Sequence, residues 1–168
     1  MNATAHPRIA LRPFLPQDAP LLADIFRASV STLTGDDYSE AQQEAWVSAA
    51  DDADAFAQRL GNALTLIGTL NGSPVGFISL AGSEDIDMLY VHPAAAGAGV
   101  ATVLIDAIEK LARSRGARRL TTEASDTALG FFSRHGFVPQ KRNTVARADE
   151  WLATTTMHKP LTPPETTP

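Results

Sequence analysis

The chain has no cysteine among its 168 residues, which removes disulfides, thiolate metal ligands and a cysteine acyl-enzyme in one step. Any acyl transfer must use other groups. Basic residues are also in short supply: 14 Lys and Arg stand against 19 Asp and Glu, for a formal net charge of −5. The only local basic clusters, Arg118-Arg119 and Lys141-Arg142, are dipeptides, so the composition argues against nucleic acid or an anionic membrane as partner. No apolar run reaches membrane-spanning length, and Met1-Asn-Ala-Thr-Ala-His-Pro7 has neither a charged n-region nor an apolar h-region. A cytoplasmic location is the expectation. None of the four histidines, His6, His92, His135 and His158, has metal-ligand spacing to another, and no metal is expected. His92, ahead of Pro93, reads as a turn residue.

A content of 44% hydrophobic residues in a chain of this length suits one domain with its own core. Its expected span is residues 8–160. Arg8 to Phe14 alternates as a first strand, and Asp18 is placed to cap a helix carrying Leu22, Ile25 and Phe26. Ser39-Glu-Ala-Gln42 has the capping-box spacing, and a second short helix pairs Phe56 with Leu60. From Leu64 the period changes to two. Asn71-Gly72 then marks a tight hairpin, because both residues tolerate positive φ. In Glu84 to Val91, Ile86, Met88 and Tyr90 are expected on one face and Asp85, Asp87, Leu89 and Val91 on the other. That leaves an acidic residue inside an apolar strand.

The clearest helix runs from about Gly97 to Arg115, with Val100, Val103, Leu104, Ala107, Ile108 and Leu111 on one face. Its outer face offers Asp106 with Lys110 and Glu109 with Arg113 as four-apart pairs. A strand over Arg118 to Ala124, a helix capped by Ser125 and two strands on either side of Asp149-Glu150 complete the chain. The tail from Leu161 to Pro168 is rich in proline and threonine with little to bury, and is expected to be disordered. The order of elements implies an α/β (α+β) domain, a mixed central β-sheet with helices on both faces and a right-handed central crossover.

Between strand and long helix lies Val91-His-Pro-Ala-Ala-Ala-Gly-Ala-Gly-Val-Ala-Thr102, a stretch that is nearly all backbone. Small residues there let an anion approach unpaired N–H groups at a helix start. Two glycines alone are equally a tight structural connection. A phosphate-binding P-loop would require Gly-Lys-Ser/Thr, and no lysine precedes Lys110; a dinucleotide fingerprint would require a third glycine where Thr102 stands.

Taken with Tyr90-Val-His-Pro93 before it, the long helix after it and Glu-Ala-Ser-Asp-Thr-Ala-Leu-Gly-Phe-Phe-Ser-Arg-His-Gly-Phe from Glu123 to Phe137, the turn resembles the GCN5-related N-acetyltransferase (GNAT) superfamily, in its small bacterial form. The resemblance covers about Arg8 to Pro160. It implies a single GNAT-like domain with splayed central strands and acetyl-CoA in the gap. It also implies that Leu89, Tyr90 and Val91 pair with the pantetheine arm. Ala96, Gly97, Ala98, Gly99, Val100 and Ala101 would surround the diphosphate, with Ser125, Phe132 and Arg134 as further cofactor contacts. Two positions depart from the family pattern: Ala96 stands where a side-chain donor is usual, and Phe132 where a tyrosine often protonates the departing thiolate.

The implied activity is acetyl transfer from acetyl-CoA to the amine of a small molecule or peptide, by direct attack in a ternary complex. The protein would be a monomer or homodimer. Asp87 is the first candidate for general base because it precedes the expected thioester region by two residues; Glu123, Glu84 and a water relay compete. Tyr90 is a candidate donor to the thiolate, or an aromatic packed on the sheet. Tyr38 and Trp46 are candidates for an apolar wall of the acceptor cleft, or ordinary core. A non-catalytic acyl-CoA-binding or sensory module with the same fold, and a nucleotide-binding protein using the same turn, are the alternatives.

Overall fold

The computed structural model describes residues 8–162, so the tail expectation for residues 163–168 lies outside the described residues. The elements in chain order are β1 (Ile9–Pro13), α1 (Ala19–Leu33), α2 (Glu40–Val47), α3 (Ala53–Gly61), β2 (Leu64–Leu70), β3 (Ser73–Ala81), β4 (Asp85–Val91), α4 (Val100–Ser114), β5 (Arg119–Ser125), α5 (Leu129–Arg134), β6 (Val138–Arg147) and β7 (Glu150–Pro160). The strands form one seven-stranded sheet in the order β1-β2-β3-β4-β5-β7-β6. Every neighbouring pair is antiparallel except β4–β5, which the α4 connection makes parallel.

Local chemistry sets several of these boundaries. Asn71 and Gly72 take φ of 52° and 87°, the left-handed values that a two-residue hairpin requires. The Ser39 hydroxyl accepts from the Gln42 amide at 3.1 Å while the Gln42 side chain accepts from the Ser39 amide at 2.8 Å, closing a reciprocal capping box on α2. Asp18 differs from expectation. Its carboxylate caps no α1 amide but takes a two-pronged contact from Arg12, at 2.8 and 2.9 Å, and the Leu15 amide.

The sheet divides two apolar layers. One packs Leu104, Ile105 and Ile108 of α4 against Ile78, Leu80 and Ile86; the other packs Leu22, Ile25 and Phe26 of α1 with Phe77 and Met88. Ile86 and Met88, expected on one face, therefore lie on opposite faces. The register explains it: Ser79 faces Met88 and Leu80 faces Ile86, so Asp87 is the extra residue of a β-bulge. A bulge reverses the alternation beyond it and bends its strand.

Three further expectations are corrected. α4 starts at Val100 rather than Gly97, because Gly97 and Gly99 hold left-handed φ of 80° and 89°. Glu109 pairs with Lys159 of β7 at 2.8 Å, a half-buried cross-element contact that replaces the expected partner Arg113. Leu161, assigned to the tail, is buried, and its amide donates to the Arg118 carbonyl at 2.8 Å.

The start of α4 is positioned by space left empty beneath it. Gly68 and Gly76 face each other across β2 and β3. A Cβ on Gly68 would lie 3.0 Å from Val100 Cγ1, and one on Gly76 would lie 3.1 Å from Val100, the Tyr90 carbonyl and Val91. Bare backbone at both positions lets the helix N-terminus sit down on the sheet. Gly76→Ala is therefore expected to destabilise by about 1–3 kcal/mol through overpacking, a fall of several degrees in melting temperature. An unchanged thermal melt would mean that the helix start is not seated this tightly.

Candidate active site

The parallel β4–β5 ladder holds two residue pairs, Asp85 with Thr121 and Ile86 with Thr122. Beyond the Asp87 bulge the strands part. The β4 residues from Met88 to Val91 keep their β3 partners but have no strand on the other side, while β5 pairs onward with β7. An open strand edge inside a sheet is a template for another extended chain carrying amide groups.

At the wide end of this split sits the glycine turn. The amides of Ala96 and Ala98 donate to the carbonyls of Pro93 and Ala95, at 3.1 and 3.2 Å, so neither is available to a ligand through its N–H. Those of Gly97 and Gly99 have no acceptor among the described residues, and Val100, Ala101 and Thr102 are the first helical residues, whose N–H groups lie ahead of the intrahelical ladder. Gly97, Gly99, Val100, Ala101, Ala96 and Arg134 line a cavity of about 380 Å³. Arg134, exposed in the last turn of α5, has no ion-pair partner among the described residues. Unpaired amides, a helix N-terminus and a free guanidinium suit a polyanion such as a diphosphate. His92 stays a turn residue, its Nδ1 accepting from the Ala94 amide at 3.0 Å.

Further cavities that share lining residues lie along the split. The cradle shares Val91, Ala101 and Phe131 with a mainly apolar cavity of about 170 Å³. That cavity shares Leu89, Tyr90, Ser125 and Phe132 with a narrow one of about 60 Å³ between β4 and β5. The narrow one shares Asp87, Tyr90, Glu123 and Trp46 with a charged cavity of about 140 Å³ on the α1 and α3 side. The Ser125 hydroxyl on this path accepts from the Ala128 amide at 3.1 Å, capping the turn into α5.

The structure separates the three catalytic candidates. Asp87 does not stand in an apolar setting: Arg59 of α3 grips both carboxylate oxygens, at 2.7 and 2.9 Å. The pair ties the bulge to α3 and leaves no oxygen of Asp87 without a cation. Glu123, in the body of β5 rather than at its end, accepts from Asn143 at 2.8 Å, from Thr156 at 2.7 Å and from Thr154. Burial pushes its carboxyl up, but those three hydrogen bonds outweigh burial and hold it below the usual carboxylate range. Tyr90 packs edge-on to Phe26 with ring centroids 4.7 Å apart, and its oxygen accepts from the Trp46 indole at 3.1 Å. Burial pushes the Tyr90 phenol up to about 12, against the opposing hydrogen bond from Trp46.

Trp46 lines the charged cavity, but Tyr38 does not. The Tyr38 hydroxyl donates to the Ala153 carbonyl at 2.6 Å and accepts from the Asp126 amide at 2.9 Å. It pins β7 to the β5–α5 connection, the buried structural reading of Tyr38 rather than a wall of the acceptor cleft. Glu84, another candidate base, is paired with Arg119 at 3.2 Å.

Sequence reading missed Arg59, Asp85 and Arg147, all of which line the charged cavity. Asp85 accepts from the Thr121 hydroxyl at 3.1 Å; burial raises its carboxyl, with Asp87 and Glu123 adding to the shift. No local motif marks these residues, since α3, β4 and β6 bring them together from across the chain. Among the described residues, no group of three His, Asp or Glu side chains is placed to hold a metal, and no helix is long and apolar enough to cross a membrane.

A sheet split at its centre, with unpaired amides at one mouth and a charged cavity at the other, matches the splayed fold that the resemblance to acetyltransferases implies. The chain belongs to the GNAT acetyltransferase family: residues 34–161 match the family model described as an acetyltransferase (GNAT) domain. It is 33% identical over 144 residues to the uncharacterized N-acetyltransferase YafP of Escherichia coli, covering 86% of this chain and 91% of that protein. A crystal structure of a GCN5-related N-acetyltransferase from Rhodopseudomonas palustris is 58% identical with a TM-score of 0.90, over 96% of this chain and 99% of that one. The PaiA N-acetyltransferase of Thermoplasma acidophilum, solved in complex with coenzyme A, shares the fold at 18% identity and a TM-score of 0.75, over 91% of this chain and 99% of that one.

The half-buried Tyr90 phenol gives a direct check. A group whose folded pKa lies above its unfolded value of about 10 stabilises the fold below that pH and loses its contribution as pH rises through the folded value. Ultraviolet titration should show a phenolate step near 12 that disappears in Tyr90→Phe. A Tyr90 step at the ordinary value would contradict the half-buried, indole-bonded geometry.

Proposed function

We propose that the protein is an acetyl-CoA-dependent N-acetyltransferase that transfers the acetyl group to the amine of a small molecule or peptide by direct attack in a ternary complex. The reading is supported by a row of cavities that share lining residues, from the amide cradle, past an apolar stretch between β4 and β5, to the charged cavity. The polarity of the row follows that of the donor: anionic diphosphate, pantetheine arm, thioester. The cradle fits a diphosphate by its free amides at Gly97, Gly99, Val100 and Ala101 with Arg134 in reserve. Leu89, Tyr90 and Val91 offer the open strand edge, and Ser125 and Phe132 flank the narrow cavity.

Acetyl-CoA supplies a thioester whose carbonyl carbon a neutral amine attacks, forming a C–N bond as the C–S bond breaks. The rest falls to the chain. A phenol near 12 lies about 3.5 units above a thiol of ordinary pKa near 8.5, an uphill proton transfer of about 5 kcal/mol. Tyr90 therefore serves as a hydrogen-bond donor toward the sulfur rather than as the source of its proton. Trp46 occupies an acceptor site on the phenol oxygen and leaves the O–H directed elsewhere. Glu123, held ionised, draws the incoming ammonium; Asp87 with Arg59 fixes the bulge. The amine's proton leaves through water.

Phe132, buried and lining the narrow cavity where the family often has a hydroxyl, favours a second reading, a CoA-binding module without turnover. Purified protein with acetyl-CoA and an amine panel separates the two. Turnover on any amine, read as CoA release, supports the enzyme; CoA binding with none supports the module. CoA should raise the melting temperature where ATP and NAD do not, and no stabilisation by saturating CoA would contradict both readings.

The cradle is tested at its glycine. Gly99→Val forces a β-branched residue into φ of 89° at the cavity wall, and should raise the acetyl-CoA KM at least tenfold in a protein that still folds. Ala96→Arg restores a side-chain donor and should lower that KM. Unchanged kinetics in Gly99→Val would rule out the cradle.

A further inference from the structure

The charged cavity contains a mismatch that the fold itself does not resolve. Two of its charges are neutralised by each other, since Arg59 and Asp87 form a closed two-pronged pair. Glu123 and Arg147 are different. Both line the cavity and are close enough for the Arg147 charge to act on Glu123. Yet they form no ion pair within 4.0 Å. The Arg147 side chain has one hydrogen bond, Nη1 to the Ala146 carbonyl at 2.8 Å, and no carboxylate partner among the described residues. Glu123 cannot swing across to meet it, because Asn143, Thr154 and Thr156 fix both carboxylate oxygens. A fixed anion and an unpaired cation thus face one space.

We infer that the acceptor is a short zwitterion, a free amino acid or close analogue, whose ammonium group is received by Glu123 and whose anionic group is received by the Arg147 guanidinium. The inference rests on the acetyltransferase reading, which makes this cavity the acceptor side of the split. Three observations favour it over a plain cation or a protein chain. A simple amine would satisfy Glu123 and leave Arg147 unused, whereas a guanidinium matches a carboxylate with two parallel N–H donors. The volume of about 140 Å³ lies below the roughly 300 Å³ at which drug-sized pockets begin, so a small molecule fits whole. The lining also includes Trp46, Phe26, Met88 and Leu152, apolar side chains against which the carbon skeleton of such a molecule can rest. Asp85, hydrogen-bonded to Thr121 at the closed end of the split, provides a further acceptor for a polar side chain.

The test is calorimetric titration of the protein, saturated with CoA and also free of it, with the twenty common amino acids, their carboxamides and the amines left by decarboxylation. At least one free amino acid should bind at least tenfold more tightly than both its carboxamide and its amine. The same compound should be acetylated when acetyl-CoA replaces CoA. Arg147→Ala should abolish the preference for acid over carboxamide and raise the acceptor KM with kcat little changed. Arg147→Lys should keep part of the preference, and Glu123→Gln should weaken every ammonium-bearing ligand. Arg147 is exposed at the end of β6, so neither of its variants threatens the fold. Binding of no free amino acid, equal binding of acids and carboxamides, or tighter binding of peptides or plain amines would each overturn the zwitterion. Failure of CoA to bind would instead strike the acetyltransferase reading, while the titration of the CoA-free protein still decides whether the cavity takes a zwitterion.

Discussion

Beyond Ile86 and Thr122, β4 and β5 stop pairing, and the site is arranged around that break. An interior strand with an unpaired edge is costly unless something restores its hydrogen bonds. Here the cost is confined to the β4 segment after the bulge at Asp87, where Arg59 clamps the extra residue to α3. The ladder with β3 and the two apolar layers hold the strand in place on its other sides. The split is thus built by pairing at one end and by packing on both faces.

The same geometry grades polarity along the opening. At the mouth, α4 brings unpaired amides because Gly68 and Gly76 let Val100 sit close to the sheet. In the middle, the walls are apolar and Tyr90 stays protonated through burial. On the far side, Glu123 is kept ionised by hydroxyl and amide donors, although burial alone would push it the other way. Two carboxylates near one cavity are therefore driven in opposite directions, Asp85 upward and Glu123 downward. Such divergence is typical of sites where charge has to be placed rather than dispersed.

Much of the fold was legible from sequence because it is locally encoded. The Asn71-Gly72 hairpin, the Ser39–Gln42 box and the long α4 each carry their signal within a few residues. The glycine turn gained meaning from its neighbours, the strand before it and the Phe131-Phe132 segment after α4. The bulge at Asp87 was not legible, since it is defined only by register against β3, and its effect was to turn Ile86 away from Met88. Asp87 looked like an acid in an apolar strand because Arg59 lies 28 positions away. Tyr38 looked available for the same reason: its partners, at Ala153 and Asp126, are remote in sequence. The Glu123 clamp and the Arg147 placement depend on β6 and β7 folding back beside β5, a tertiary event without a local motif.

On the proposed function, the open edge of β4 receives the donor. A crystal structure of the protein with CoA tests it most directly. The expected result is the diphosphate against Gly97, Gly99, Val100 and Ala101, the pantetheine arm lying along Leu89 to Val91, and the sulfur within reach of the Tyr90 hydroxyl. CoA bound elsewhere on the surface, or β4 and β5 zipped together along their length, would contradict it.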